Sequence, residues 1–139
     1  MAIRGVLETC LYVDDLSAAE PFYRDILGLH RIAAQQGRHI FFECGQGVLL
    51  IFHPDQAMAT TGSIPPHGAR GPGHVAFAVA ETELPAWRER LARHGIAIES
   101  EVQWGQGGRS LYFRDPAGNS VEIATPRIWG LPEWEDRQP

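Results

Sequence analysis

Glu8, His74 and Glu122 are the side chains around which a chemistry can be built. Glu8-Thr-Cys-Leu-Tyr-Val and His74-Val-Ala-Phe-Ala-Val both read as strands, each followed by a helical pattern. A later strand closes each half, Gly47-Val-Leu-Leu-Ile-Phe in the first and Ser120-Val-Glu-Ile-Ala in the second. Aligning the halves puts Glu8 on His74 and Leu50 near Glu122. Two carboxylates and an imidazole at three of four matched positions make a donor set for a divalent cation. Such an ion polarises a carbonyl and stabilises an enolate or alkoxide. Each residue also has a plainer reading. A carboxylate in an apolar strand, on a face expected to be buried, is costly without a partner, so a salt bridge to an arginine is the alternative for Glu8. His74 alone would be a hydrogen-bonded core histidine, and Glu122 alone a solvent-facing strand residue. The matched placement makes them a set.

The elements that position these residues follow from periodicity. Val6 to Val13 is a strand with Glu8, Cys10 and Tyr12 on one face. Ser17 and Glu20 have capping-box spacing, which opens a helix with Pro21 in its first turn. Phe22, Tyr23, Ile26 and Leu27 form its apolar stripe, and Gly28 ends it. Strands are expected at His39–Cys44 and Val48–His53 around a Gly45-Gln-Gly turn. Residues 55–72 read as a linker between a first module of about 4–54 and a second of about 73–126. In the second module a strand at His74–Val79 precedes a helix with Leu84, Trp87 and Leu91, closed by Gly95. Ile96–Glu101 is a further strand. Arg109–Arg114 and Ser120–Thr125 pair across the turn Asp115-Pro-Ala-Gly-Asn. Residues 127–139 form a Trp- and Pro-rich arm in which Trp129 and Trp134 pack or line a pocket. The fold class is α+β: one domain of two βαβββ modules, whose mostly antiparallel sheets curve around a cleft.

Bulk composition narrows the function. The 139 residues are the size of one domain, and 44% hydrophobic content with four Trp and six Phe supplies a core. A net charge of −5 without a Lys/Arg block excludes the phosphate neutralisation that nucleic acids require and disfavours an acidic membrane surface. No apolar run reaches membrane-spanning length, and the opening residues lack a signal-peptide core. The expectation is a cytoplasmic protein with Cys10 and Cys44 reduced.

Four segments carry a family resemblance: Leu11-Tyr-Val-Asp-Asp-Leu-Ser, Phe22-Tyr-Arg-Asp-Ile-Leu-Gly-Leu, Gly73-His-Val-Ala-Phe-Ala-Val and Tyr112-Phe-Arg-Asp-Pro-Ala-Gly-Asn-Ser-Val-Glu-Ile. The chain resembles the vicinal oxygen chelate superfamily, which includes glyoxalase I, extradiol dioxygenases, fosfomycin-resistance thiol transferases and bleomycin-binding proteins. The resemblance implies metal ligands on the first and last strands of each module, at Glu8, Leu50, His74 and Glu122. Leu50 cannot ligate, and Glu8 stands where a His is common. The implied site is therefore a three-ligand Glu-His-Glu set holding a divalent ion, with Mn, Mg or Fe(II) favoured and Zn or Ni possible. Two carboxylates and one imidazole leave the centre formally neutral, a poorer Lewis acid than a two-histidine site. That points to lyase, isomerase or transferase chemistry on a small oxygen-chelating substrate rather than ring cleavage. The resemblance also implies a homodimer.

Candidates for general acid–base work are Cys10, on Glu8's face, and Tyr112, which the resemblance places in the cleft. The plainer readings are a small buried hydrophobe for Cys10 and a core ring for Tyr112. Arg109 and Arg114 are candidates to orient an anion, off Tyr112's strand face, and His39 is a further pocket candidate. His53, His67 and His94 read as surface residues, His30 as structural. Gly71-Pro-Gly-His lacks the Lys and helix of a phosphate loop. The alternative function is a metal-free drug-binding protein of the bleomycin-resistance type, with an aromatic cleft.

Overall fold

The computed structural model describes residues 1–59 and 61–133. The chain divides into two compact units, Met1–Gly73 and His74–Pro139.

In unit 1, β1 (Glu8–Tyr12) leads to α1 (Leu16–Pro21) and then β2 (His30–Gln35), β3 (His39–Cys44) and β4 (Gly47–Phe52). The sheet order is β1-β4-β3-β2; β1 runs parallel to β4, and the other pairs are antiparallel. Alternation sends Leu11, Val13, Ile40, Phe42, Leu49 and Ile51 into the core. There the Tyr23 ring meets Phe42 at 6.0 Å and Phe22 at 5.0 Å.

Four local details differ from the sequence reading. Asp15, not Ser17, caps α1: its carboxylate accepts the Ala18 N–H at 3.1 Å and the Ser17 hydroxyl at 2.6 Å. Pro21 closes α1 instead of opening it. With no N–H to give, it precedes a wider π turn over Phe22–Ile26, closed by Leu27 N–H to the Phe22 carbonyl at 3.0 Å. β2 is the one strand of the first βαβββ module to which the sequence reading gave no bounds, because all six of its residues are exposed and a bulge between Arg31 and Ala33 breaks its alternation. The stretch read as linker also contains a short helix, α2 (Pro54–Met58), with Pro54 in its first turn and His53 Nδ1 accepting the Asp55 N–H.

Unit 2 repeats the plan. β5 (His74–Ala78), α3 (Leu84–Arg93), β6 (Ser100–Gln103), β7 (Arg109–Arg114) and β8 (Ser120–Ala124) give a sheet of order β5-β8-β7-β6, with β5 parallel to β8. β6 begins at Ser100 rather than Ile96, because the Ile96 N–H still caps α3 by bonding the Leu91 carbonyl at 2.9 Å. Leu84 and Leu91 of α3 and Leu111, Phe113, Val121 and Ile123 of the sheet are buried. In the β7–β8 turn the Asp115 carboxylate accepts the N–H groups of Ala117 at 3.0 Å and Asn119 at 2.8 Å. That turn sets the register delivering Glu122. After β8, Pro126–Trp129 make a 3-10 turn that leaves Trp129 exposed, while Trp134 lies outside the described residues. Among the described residues no helix is long and apolar enough to cross a membrane.

Candidate metal centre

Strand register makes the internal repeat concrete. In unit 1, Glu8 pairs with Val48 and Cys10 with Leu50; in unit 2, His74 pairs with Ser120 and Ala76 with Glu122. Glu8 is thus the counterpart of His74, and Leu50 of Glu122. Each sheet turns one face to its helix and presents these residues on the other. That corrects the expectation for Glu8. Leu11 and Val13 occupy the buried face, and Glu8 is exposed on the opposite one. Among the described residues Glu8 makes no ion pair, so the arginine salt bridge is not formed.

His74 and Glu122 meet directly. The imidazole Nε2 lies 3.2 Å from Glu122 Oε2, and the Nδ1 lies 3.0 Å from the Ser120 carbonyl oxygen. A carbonyl only accepts, so Nδ1 carries the proton and a neutral ring turns its bare Nε2 lone pair toward the carboxylate. Two acceptors at that distance repel unless a cation lies between them, either a proton on His74 or a metal ion. A histidine whose far nitrogen is fixed by a backbone carbonyl is the usual arrangement of a metal-ligating imidazole.

Glu122 is 5% exposed. The Ser110 hydroxyl donates to its Oε1 at 2.6 Å, and the Trp104 indole N–H donates to the Ser110 oxygen at 2.9 Å. This chain fixes the carboxylate so that Oε2 faces His74. Neither Ser110 nor Trp104 was singled out in the sequence. The available signal was Ser110 alternating with Tyr112 on a strand whose other interior residues, Leu111 and Phe113, are apolar. Tyr112 pairs with Glu122 across the β7–β8 ladder, and its ring stacks near His74 at 6.4 Å between centroids. Burial first, and the Glu122 charge, push its phenol up, partly opposed by the Ser110 hydrogen bond, so it stays protonated at neutral pH. Arg114 shares Tyr112's strand face, contrary to the sequence reading, but is engaged by Glu99 at 2.7 Å and the Gly118 carbonyl at 3.1 Å. Arg109 alternates with the core positions Leu111 and Phe113.

On the corresponding face of unit 1 the chemistry is different. Leu50 is buried with Phe52 and Ala57, and half-buried Cys10, Tyr12, Phe41 and Val48 pack on them. The Cys10 thiol is pushed up by burial and then by Glu8, so it is protonated at neutral pH and poorly suited to act as a base. Cys10 and Cys44 are both free thiols. His67 is not a surface residue: its Nδ1 lies 2.5 Å from the Tyr12 hydroxyl and its ring stands edge-on to Phe52 at 4.7 Å. His39 stacks on Phe41 with centroids 4.1 Å apart. His53 caps α2, and His30 and His94 are exposed. Among the described residues no group of three or more His, Cys, Asp or Glu side chains gathers to hold one metal ion.

A sequence profile of the Glyoxalase/Bleomycin resistance protein/Dioxygenase superfamily matches residues 5–123. The chain belongs to this superfamily. A lactoylglutathione lyase structure from Agrobacterium tumefaciens superposes with a TM-score of 0.90 at 40% identity, covering 94% of this chain and 100% of the other. The metallothiol transferase FosB of Staphylococcus epidermidis is 28% identical over 127 residues, 90% of this chain and 84% of the relative. The glutathione transferase FosA of Serratia marcescens is 30% identical over 116 residues, 81% of this chain and 74% of the relative. The glyoxalase-superfamily fold assigned from the sequence motifs is therefore correct, including its two-module α+β plan. This superfamily member keeps an imidazole–carboxylate pair in unit 2 and replaces the matched carboxylate position in unit 1 by Leu50.

Proposed function

We propose that the chain is a divalent-metal-dependent enzyme of the glyoxalase superfamily, acting on a small oxygen-chelating substrate, with His74 and Glu122 as a ligand pair that already meets and Glu8, assigned by the internal repeat alone, as the third metal ligand. The observation that carries this reading is the 3.2 Å approach of His74 Nε2 to Glu122 Oε2 with the opposite imidazole nitrogen committed to Ser120. When bound, the ion supplies a Lewis acid for a substrate carbonyl or oxygen pair. Ser120 and Ser110 hold the imidazole and the carboxylate in their donor orientations. Tyr112, protonated and beside Glu122, offers a hydrogen bond to a substrate oxygen on which charge develops. Cys10 in this reading is a half-buried wall residue near Glu8 rather than the base. Two carboxylates favour Mn, Mg or Fe(II) over softer ions. The names of the similar proteins, a metallothiol transferase, a glutathione transferase and a lactoylglutathione lyase, support transferase or lyase chemistry. We further infer a homodimer working in the reducing cytoplasm, in line with two free thiols.

Elemental analysis of untagged protein beside Glu8→Ala and Glu122→Ala tests the reading. About one divalent ion per chain, lost in both variants, is expected. Protein that takes up no Mn, Fe(II), Ni or Zn on reconstitution would sink it and leave a metal-free binding protein as the alternative. Light scattering checks the dimer.

A further inference from the structure

Phe52 is the buried floor of one end of the open face of unit 1. Around its ring stand the Arg38 guanidinium at 5.4 Å, His39 at 5.6 Å, Phe41 at 5.4 Å and His67 at 4.7 Å. Arg38 Nη1 lies 2.7 Å from His39 Nδ1. A guanidinium has only donors, so Nδ1 accepts and the neutral imidazole carries its proton on Nε2. Burial and the Arg38 charge both hold that ring neutral. Arg24, Arg31, Arg70, Arg88, Arg114 and Arg127 each pair with a carboxylate. Among the described residues half-buried Arg38 pairs with none, although the chain carries a net charge of −5. The result is a cation and a neutral N–H donor beside a half-exposed stacked pair, His39 on Phe41 at 4.1 Å and 11°. Donors without acidic partners next to an aromatic surface are complementary to an anion attached to an apolar body.

We propose that this end of unit 1 binds the carboxylate of a small molecule with a compact apolar body, Arg38 and His39 holding the anion and Phe41 carrying the body. Glu8 lies on the same sheet face, two rows along the strands, since Tyr12 pairs with Phe52, Cys10 with Leu50 and Glu8 with Val48. For the proposed enzyme this names the substrate class: a carboxylate set apart from the oxygens that chelate the metal. Only the word substrate rests on that earlier reading; the binding does not.

The test is an NMR titration of the metal-free full chain with benzoate, and with neutral benzamide as the control. Benzoate is expected to shift the His39 imidazole and the Phe41 and Phe52 ring signals saturably, with benzamide at least tenfold weaker. Arg38→Gln should weaken benzoate at least tenfold, and Arg93→Gln, which removes a cation from α3, should leave it unchanged. Equal binding of benzamide, or an unchanged Arg38→Gln variant, overturns the proposal. Should Arg38→Gln not fold, the benzoate–benzamide comparison on the native chain decides alone. If these signals ignore benzoate but move on dilution, a second copy covers the face and the proposal fails. Metal bound without benzoate binding removes this inference alone, and benzoate bound without metal removes the enzyme reading alone.

Discussion

Ser110 governs the carboxylate at the centre of the candidate site. Ser110→Ala takes away the hydroxyl donated to Glu122 at 2.6 Å and leaves a buried carboxylate oxygen short of a partner. We expect a loss of about 1–3 kcal/mol in urea unfolding of the metal-free protein. Metal affinity, followed by competitive chelator titration, should fall about 10–100-fold, as for other partners that orient a ligand. Unchanged affinity would separate Ser110 from the metal. His39 makes a second prediction, on pH. Its folded pKa is lowered, first by burial and then by Arg38, so the unfolded ring takes up protons before the folded one as pH falls. Its stabilising contribution is complete above the unfolded value of about 6.5 and is lost as pH drops below it. His39→Phe should therefore show a smaller decline in urea stability between about pH 7.5 and 5.5 than the native chain. An equal decline would mean that the ring does not titrate as its surroundings dictate.

At the scale of elements, the β6–β7 hairpin is what carries Trp104 and Ser110 to Glu122. Gly108 is its critical residue. Its φ is +86°, and an added Cβ would stand 2.7 Å from Thr125 Oγ1 and 2.8 Å from the Ile128 backbone nitrogen. Gly108→Ala is expected to cost about 1–3 kcal/mol from backbone conformation alone, with the overlap adding to it. Thermal unfolding measures the loss, and the Trp104 indole N–H signal should shift as the Ser110 contact loosens. On α1, Asp15→Ala removes the N-cap and should cost about 1 kcal/mol. Ser17→Ala should cost less if Asp15 is the cap, which distinguishes the observed helix start from the one the sequence suggested. Capping-box spacing misled because Asp15 and Ser17 are both good caps and only backbone geometry at Asp15, φ −126° and ψ 97°, selects between them.

At the scale of the whole molecule, the two units share one plan and have taken different chemistry. The position that is Glu122 in unit 2 is Leu50 in unit 1, and the position that is Tyr112 is Phe41. Unit 2 has built a hydrogen-bonded polar row, Trp104–Ser110–Glu122, where unit 1 has built an apolar cluster around Leu50 and Phe52. Leu50→Glu should therefore lower the stability of the metal-free chain by about 2–4 kcal/mol, since the new carboxylate has an apolar cluster around it instead of a serine. A variant as stable as the native chain in urea would show that the unit 1 face opens readily to water.

Much of this was already written in the chain. The apolar alternation of β1, β3, β4, β5, β7 and β8 and the Asp115–Asn119 turn are local signals, so the strands and the repeat that aligns Glu8 with His74 and Leu50 with Glu122 were legible in one dimension. β2 was not, because an exposed, bulged edge strand has no buried face to impose a pattern. Tertiary structure decided the rest. Which face of β1 is covered depends on where the helix packs, and that turned Glu8 outward. The bond of His74 Nδ1 to Ser120, the Ser110 hydroxyl on Glu122 and the Tyr12–His67 contact join residues 46, 12 and 55 positions apart. Periodicity carries no information about such meetings, because they are set by strand register and by the path of the loops.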